Sequence, residues 1–157
     1  MFCFARDLAL KNYHRLTCIL GNALAVASMP QNKNEDPEII EYYHSLREHI
    51  LECYSCVIHC LKDNNQMEHF SENAQALLEF ITIISNNEYD PGYEQCADCL
   101  GIIGDLCDAY GSNIKGVLNE KALTYLVRKL RSSGNKKYET IIEWSISVNY
   151  FLFLDYS

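Results

Sequence analysis

The stretch that decides the fold runs from Asp36 to Lys62 and reads DPEIIEYYHSLREHILECYSCVIHCLK. Asp36 is a favoured residue at a helix N-cap, and Pro37 suits the first helical position. Apolar side chains then recur every three or four residues, which places them on one face of a helix. The residues on that face are Ile39, Tyr43, Leu46, Ile50, Cys53, Val57 and Cys60. The stretch therefore predicts one long amphipathic helix, ended by an Asp-Asn-Asn turn at residues 63–65.

Five more helices follow from the same reasoning, with polar linkers or turns such as residues 31–35, 86–92 and 132–135 between them. Their approximate bounds are Leu8–Ser28, Gln66–Ser85, Tyr93–Tyr110, Asn119–Arg131 and Lys136–Phe153. Only three prolines and seven glycines occur in 157 residues, and 48% of the residues are hydrophobic. We therefore predict an all-α fold with a real core, arranged as a closed bundle or as a stack of helical hairpins.

Negative charge is concentrated in one segment of the chain. Residues 35–110 hold 16 acidic residues and two basic ones, whereas the net charge of the whole chain is −8. Such a segment attracts basic partners, and it argues against direct nucleic-acid binding, which needs a basic surface. In the third helix, Glu68, Glu72 and Glu79 fall opposite the apolar stripe. They predict an exposed acidic face, which on an isolated helix is ordinarily only a solvated surface.

The cysteines allow a metal site to be considered. Cys53-x2-Cys56-x3-Cys60 and Cys96-x2-Cys99 have the spacing of zinc half-sites. Both groups lie within helical patterns, so we interpret cysteines on the apolar stripes as small, reduced core residues. No nucleophile and base motif is present. The sequence thus predicts a protein with no catalytic residues, no metal and no cofactor.

Other features bear on packing and location. Gly101 and Gly104, three residues apart in a helix, indicate a close approach between two helices. By pattern alone Trp144 is a core residue; the alternative is a partly exposed ring beside Glu143 that packs on a lysine or arginine side chain. No run reaches the roughly 18 to 20 apolar residues of a membrane helix, and the N-terminus does not resemble a signal peptide. We therefore expect reduced cysteines in a cytosolic or nuclear protein without membrane insertion.

Three segments resemble the C-terminal HEAT repeats of the importin beta (karyopherin beta) family. They are LREHILECYSCVIHCLKD at Leu46–Asp63, CADCLGIIGDLCDAYG at Cys96–Gly111, and RSSGNKKYET at Arg131–Thr140 followed by Trp144. The resemblance covers about Pro37–Trp144. The first 30 residues match loosely, and Ser145–Leu154 is apolar where the family has an Ala-, Lys- and Arg-rich end. We divide the chain into residues 1–35, a divergent helix and linker, and residues 36–157, the HEAT repeats.

The resemblance implies an ARM-like α-α superhelix and a fragment of a nuclear import receptor that moves between cytoplasm and nucleus through the nuclear pore. In the family, an acidic concave surface binds the basic segment of importin alpha, or a basic cargo signal. Trp144 matches a family tryptophan linked to that binding, and helix phase adds Glu68, Glu72 and Glu79. Contacts with Ran and nucleoporins would belong to repeats that this chain lacks.

An alternative is a truncated or non-transporting HEAT-repeat module with a structural or interaction role. It predicts an exposed apolar flank on the N-terminal side, where a preceding repeat would pack.

Overall fold

The computed structural model of the chain describes residues 2–29, 36–86 and 91–153, and describes side chains there except at 2–11, 14, 86 and 149–153. Six α-helices occur in this part: α1 Phe2–Ala27, α2 Pro37–Asp63, α3 Ser71–Asn86, α4 Tyr93–Tyr110, α5 Glu120–Ser132 and α6 Glu139–Phe153. Short 3-10 turns at Met67–Phe70, Gly111–Ile114 and Lys136–Tyr138 precede or follow them. No strand occurs in the described residues, so the all-α class is confirmed. The predicted linker at 31–35 and turn residues 87–90 lie outside the described residues.

Local chemistry sets several helix ends. The Asp36 carboxylate accepts a hydrogen bond from the Glu38 backbone N–H at 3.0 Å, and Pro37 is the first residue of α2. The Asn119 side chain caps α5 by accepting from the backbone N–H groups of Lys121 and Ala122. Gly111 ends α4 with φ +53°, a left-handed conformation that glycine adopts without steric cost. These ends agree with the sequence prediction because capping depends only on neighbouring residues.

The chain forms two compact units, Met1–Asn73 and Ala74–Ser157, which divide within α3. The boundary between residues 35 and 36 that the sequence suggested stays a prediction. In the first unit, α1 packs on α2, and the Arg47 Nε–H donates to the Ala27 carbonyl at 3.0 Å. Tyr54 of α2 meets Phe70 edge to face, with ring centroids 6.0 Å apart. The core of this unit also holds Tyr13, Leu20, Leu24, Ala27, Ile50, Leu51, Val57, Ile58 and Leu61.

The buried face of α2 is rotated from the predicted one. Ile39, Cys53 and Cys60 are exposed, so their prediction as core residues was wrong. The buried positions of the helix are Arg47, Ile50, Leu51, Tyr54, Val57, Ile58 and Leu61. Tyrosine, leucine and isoleucine remove more apolar area from water than a thiol does, so burying them is favoured. The bond from Arg47 to Ala27 holds the helix in this rotation.

In the second unit, α4 packs against both α5 and α6. Helix α4 is buried along much of its length, and Cys107 is buried, as expected for a cysteine on an apolar stripe. Along α3, the predicted stripe is buried at Ala74, Leu77, Ile81 and Ile84. Within the described ranges, we find no helix that combines the length and the apolar character needed to span a membrane.

Candidate functional site

Trp144 lies on α6 where this helix crosses α4 closely. Its indole ring covers Gly104: a Cβ atom built at this glycine would lie 2.6 Å from Cη2 and 2.9 Å from Cε3 of the ring. One helical turn away, a Cβ at Gly101 would be 3.6 Å from Ile141 Cδ1, an ordinary contact. The predicted close approach of two helices therefore occurs at Gly104, between α4 and α6. Trp144 is half-buried, so part of its surface stays accessible to a partner.

A polar corner joins the start of α4 to the start of α6. The Glu94 carboxylate accepts hydrogen bonds from the Lys137 ammonium and, at 3.1 Å, from the Tyr138 hydroxyl. These hydrogen bonds, the one from Lys137 above all, lower the pKa of Glu94, and the same carboxylate raises the pKa of Lys137. The Lys129 ammonium lies 5.2 Å from the centroid of the Tyr93 ring. The corner holds the two helix starts together and uses Lys129 and Lys137. These are two of the five basic residues between positions 128 and 137.

The three glutamates predicted on the third helix are all exposed. Glu68 lies in the 3-10 turn before α3, 3.8 Å from the Nε2 atom of His69. Glu72 lies in the first turn of α3, and Glu79 accepts a hydrogen bond from Gln75 at 3.0 Å. The exposure of Glu72 and Glu79 follows from the helix phase that buries Ala74, Leu77 and Ile81, whereas Glu68 precedes this helix.

These residues do not all belong to one unit. Glu68 and Glu72 are in the first unit, whereas Glu79 and Trp144 are in the second. Within the second unit, Trp144 contacts Gly104 and Glu79 contacts Gln75. A common site for the four residues, and a role for them in binding, stays a prediction.

Sequence reasoning missed a second acidic surface, which we call the α2 acidic stripe. It consists of Glu38, Glu41, Glu48, Glu52 and Asp63, all exposed. Their spacings of three, seven, four and eleven residues place them on one face, opposite the buried face of α2. At 1.5 Å per residue the stripe is about 38 Å long. The spacing of the acidic residues was the signal that could have revealed it.

The two groups of cysteines with the spacing of zinc half-sites lie in different environments. Cys53, Cys56 and Cys60 are exposed on α2, in the first unit, whereas Cys96 and Cys99 are buried on α4, in the second. Burial raises the pKa of the Cys99 thiol well above its ordinary value. Among residues that the structure describes, no group of three or more His, Cys, Asp or Glu side chains is placed to hold a metal ion.

Within each unit amphipathic helices pack against one another, an arrangement found in helical bundles and in helical-repeat proteins. Residues 8–131 match the family described as "Importin subunit beta-1-like, TPR repeats". Because the match covers more than half of the chain, the chain belongs to this family, as the resemblance indicated. The matched region includes most of α1 and ends before Trp144.

One relative is Importin subunit beta-1 of Arabidopsis thaliana. It is 28% identical over 112 residues, which are 70% of this chain and 13% of that protein. The chain thus spans a small part of the length of this relative. No solved structure matches the chain.

Proposed function

We propose that this chain is part of a nuclear import receptor and binds basic protein segments on its acidic surfaces. The basic segment of importin alpha, or a basic signal in a cargo protein, is the proposed ligand. The proposed contacts are Trp144, Glu68, Glu72 and Glu79, to which we add the α2 acidic stripe. The protein would act in cytoplasm and nucleus and pass the nuclear pore. Ran and nucleoporins would contact repeats of a longer receptor, and no catalytic role is proposed.

The observation that carries this proposal is the α2 acidic stripe. Its carboxylates are exposed along the face opposite the core, so a ligand reaches them without unfolding any packed contact. A single exposed ion pair contributes only about 0.2–1 kcal/mol, but several aligned carboxylates add their effects. They also speed the capture of a basic segment by long-range attraction.

Trp144 supports a contact of another kind in the second unit. It is half-buried, and Glu143 beside it is exposed. An indole ring attracts the charged end of an arginine or lysine, and it also packs against the aliphatic part of these side chains. A basic ligand therefore finds a carboxylate and an aromatic ring at neighbouring positions of α6.

A titration with a labelled lysine- and arginine-rich peptide tests the proposal, with fluorescence anisotropy as the readout. We expect binding at low salt that weakens from about 50 to about 300 mM salt, since salt screens exposed charges. Two double variants remove acidic contacts: E48K/E52K on α2 and E72K/E79K on α3. Each should weaken binding about 10- to 30-fold, because two attractions are lost and two repulsions are gained, about 0.5 kcal/mol apiece.

The matched control is E120K/E139K, which changes net charge by the same amount at exposed residues of α5 and α6. It should weaken binding by less than about threefold, since only the long-range field changes. Absence of peptide binding at low salt would refute the proposal. An equal loss in the control would show that net charge alone, without a defined surface, attracts the peptide.

A second candidate, a structural module that stacks on another repeat, is supported by an exposed apolar face of α1. Leu16, Ile19 and Val26 are 41%, 64% and 41% exposed, and their spacing places them on one side of the helix. In repeat proteins such a face packs against a neighbouring repeat. Static light scattering distinguishes the candidates: concentration-dependent association that I19E/V26E abolishes, without any peptide binding, would favour the structural module.

A further inference from the structure

The second unit contains an open groove between α5 and α6 that the proposed function does not use. Its volume is about 360 Å3, and it is lined by Leu123, Thr124, Val127, Arg128, Arg131 and Ile146. Leu123, Val127 and Ile146 are half-buried, so they offer an apolar floor that is accessible from solvent. Positions 124, 128 and 131 follow one another at helical spacing, so Thr124 and the two arginines form one border of the groove.

The two arginines differ from the lysines near them. Lys129 lies over the Tyr93 ring and Lys137 forms an ion pair with Glu94, so both ammonium groups already interact with other residues of the protein. Arg128 and Arg131 are exposed, and within the described residues neither guanidinium forms an ion pair. Guanidinium groups bind carboxylates through two parallel hydrogen bonds. The groove therefore combines apolar surface with two cations that are available to a ligand.

We propose that this groove binds an acidic amphipathic protein segment. Apolar side chains of the segment would lie on Leu123, Val127 and Ile146, and two of its carboxylates would pair with Arg128 and Arg131. The arginines are three residues apart on α5, so carboxylates one helical turn apart in the ligand match them. The ligand is thus opposite in charge to the basic segments proposed for the acidic surfaces.

The apolar floor favours a protein segment over a nucleic acid. A nucleic acid is bound mainly by many cations that neutralise phosphates, whereas this groove offers two. An amphipathic segment gains from burying its apolar side chains in addition to its ion pairs. Neither gain alone is large at an open surface, so the two together are needed for a stable complex.

The experiment uses the full chain and a short synthetic amphipathic peptide. One face of the peptide helix carries leucine and phenylalanine, and glutamates spaced one helical turn apart border this face. Backbone amide signals of 15N-labelled protein are followed by NMR during titration. We expect the largest shifts at the groove residues of α5 and α6. A matched peptide with glutamine in place of glutamate should bind about tenfold or more weakly, because the ion pairs are lost.

The double variant R128E/R131E should weaken binding of the acidic peptide by at least about tenfold. Its control, K121E/K136E, makes the same change in net charge at two exposed lysines outside the groove, and should cost less than about threefold. A lysine-rich peptide should bind R128E/R131E no more weakly than the parent chain. Failure of this proposal is therefore distinguishable from failure of the proposed function.

Several results would overturn the proposal. They are equal binding of the glutamine peptide, equal losses in the two double variants, or the largest shifts on other helices. Tighter binding of a single-stranded oligonucleotide than of the acidic peptide, with the same dependence on Arg128 and Arg131, would assign the groove to nucleic acid instead. A dimer seen by light scattering and abolished by R128E/R131E would assign it to a second copy of the chain.

Discussion

Replacing Gly104 by alanine should destabilise the second unit, because the added methyl group meets the ring of Trp144. The new Cβ would lie 2.6 Å from Cη2 and 2.9 Å from Cε3, and it would lie closer still to Cζ3. Carbon atoms in protein cores pack about 3.5–4.0 Å apart. The indole ring is rigid, so either its rotamer must change or α6 must move away from α4.

The expected loss is about 2 kcal/mol in the free energy of unfolding. Overpacking a core costs about 1–3 kcal/mol, and close contact with three atoms of one rigid ring places Gly104→Ala near the upper limit. Alanine is better than glycine in a helix interior by about 1 kcal/mol, which offsets part of the loss. The remaining 2 kcal/mol lowers the folding equilibrium constant roughly 30-fold.

Urea unfolding measures this loss. Far-UV circular dichroism follows all helices, and Trp144, the only tryptophan in the chain, reports fluorescence from the second unit. The matched control is Gly101→Ala, the same substitution one turn earlier in α4, where the new Cβ would be 3.6 Å from Ile141 Cδ1. This control should stabilise the unit by about 0.5–1 kcal/mol, the opposite sign to Gly104→Ala.

A double variant tests the cause. If the ring of Trp144 is what the new methyl group meets, Trp144→Leu should remove most of the cost of Gly104→Ala, with a coupling energy of about 1–3 kcal/mol measured by circular dichroism. The reasoning is refuted if Gly104→Ala is at least as stable as the parent, or if the two glycine variants change stability equally.

Three further predictions concern other parts of the two units. Tyr13→Phe should cost about 1 kcal/mol in urea unfolding, because the hydroxyl donates to the His69 carbonyl at 2.9 Å and accepts from Asn73; an unchanged midpoint would contradict this. The pKa of Glu94 is lowered, so its contribution is present above the ordinary 4.5 and is lost as pH falls through the lowered pKa. Glu94→Gln should therefore flatten the acidic side of a plot of melting temperature against pH. In native protein, maleimide labelling followed by peptide mass spectrometry should modify the exposed thiols before the buried ones, since burial raises the pKa of Cys107 to about 12; equal rates would contradict the structure. Among the cysteines whose side chains the structure describes, the exposed thiols are those of Cys18, Cys53, Cys56 and Cys60, and the buried ones are those of Cys96, Cys99 and Cys107.

The ends of the helices were largely predictable. Asp36 caps α2 as the sequence predicts, and Asn119, predicted as the first residue of the fifth helix, caps α5. A cap needs only a side-chain oxygen and the next three residues. The start of α1 at Phe2 was missed by several residues, since its apolar pattern is mixed. Exposure of Glu72 and Glu79 also followed from sequence, because one clear apolar stripe fixes the phase of α3. The predicted start of this helix at Gln66 was early, since Glu68 lies in a 3-10 turn and α3 begins at Ser71.

The face that α2 buries was not predictable from the sequence. Helix α2 carries two overlapping apolar patterns, one through Cys53 and Cys60 and another through Tyr54, Ile58 and Leu61. Periodicity fits both patterns, so the choice depends on what packs against the helix. Contact with α1 and with Phe70, and the hydrogen bond from Arg47 to Ala27, select the second pattern. The same choice exposes the α2 acidic stripe.

The amino-acid sequence by itself determined the all-α class, most of the helix ends, the concentration of acid in residues 35–110 and the family, since these depend on local pattern and on composition. Only the tertiary structure showed that the ring of Trp144 packs on Gly104. It also showed that Lys129 and Lys137 contact other residues of the protein, whereas Arg128 and Arg131 border a groove. The physical reason is that a side chain becomes a contact, a core residue or an available charge through neighbours distant in the sequence.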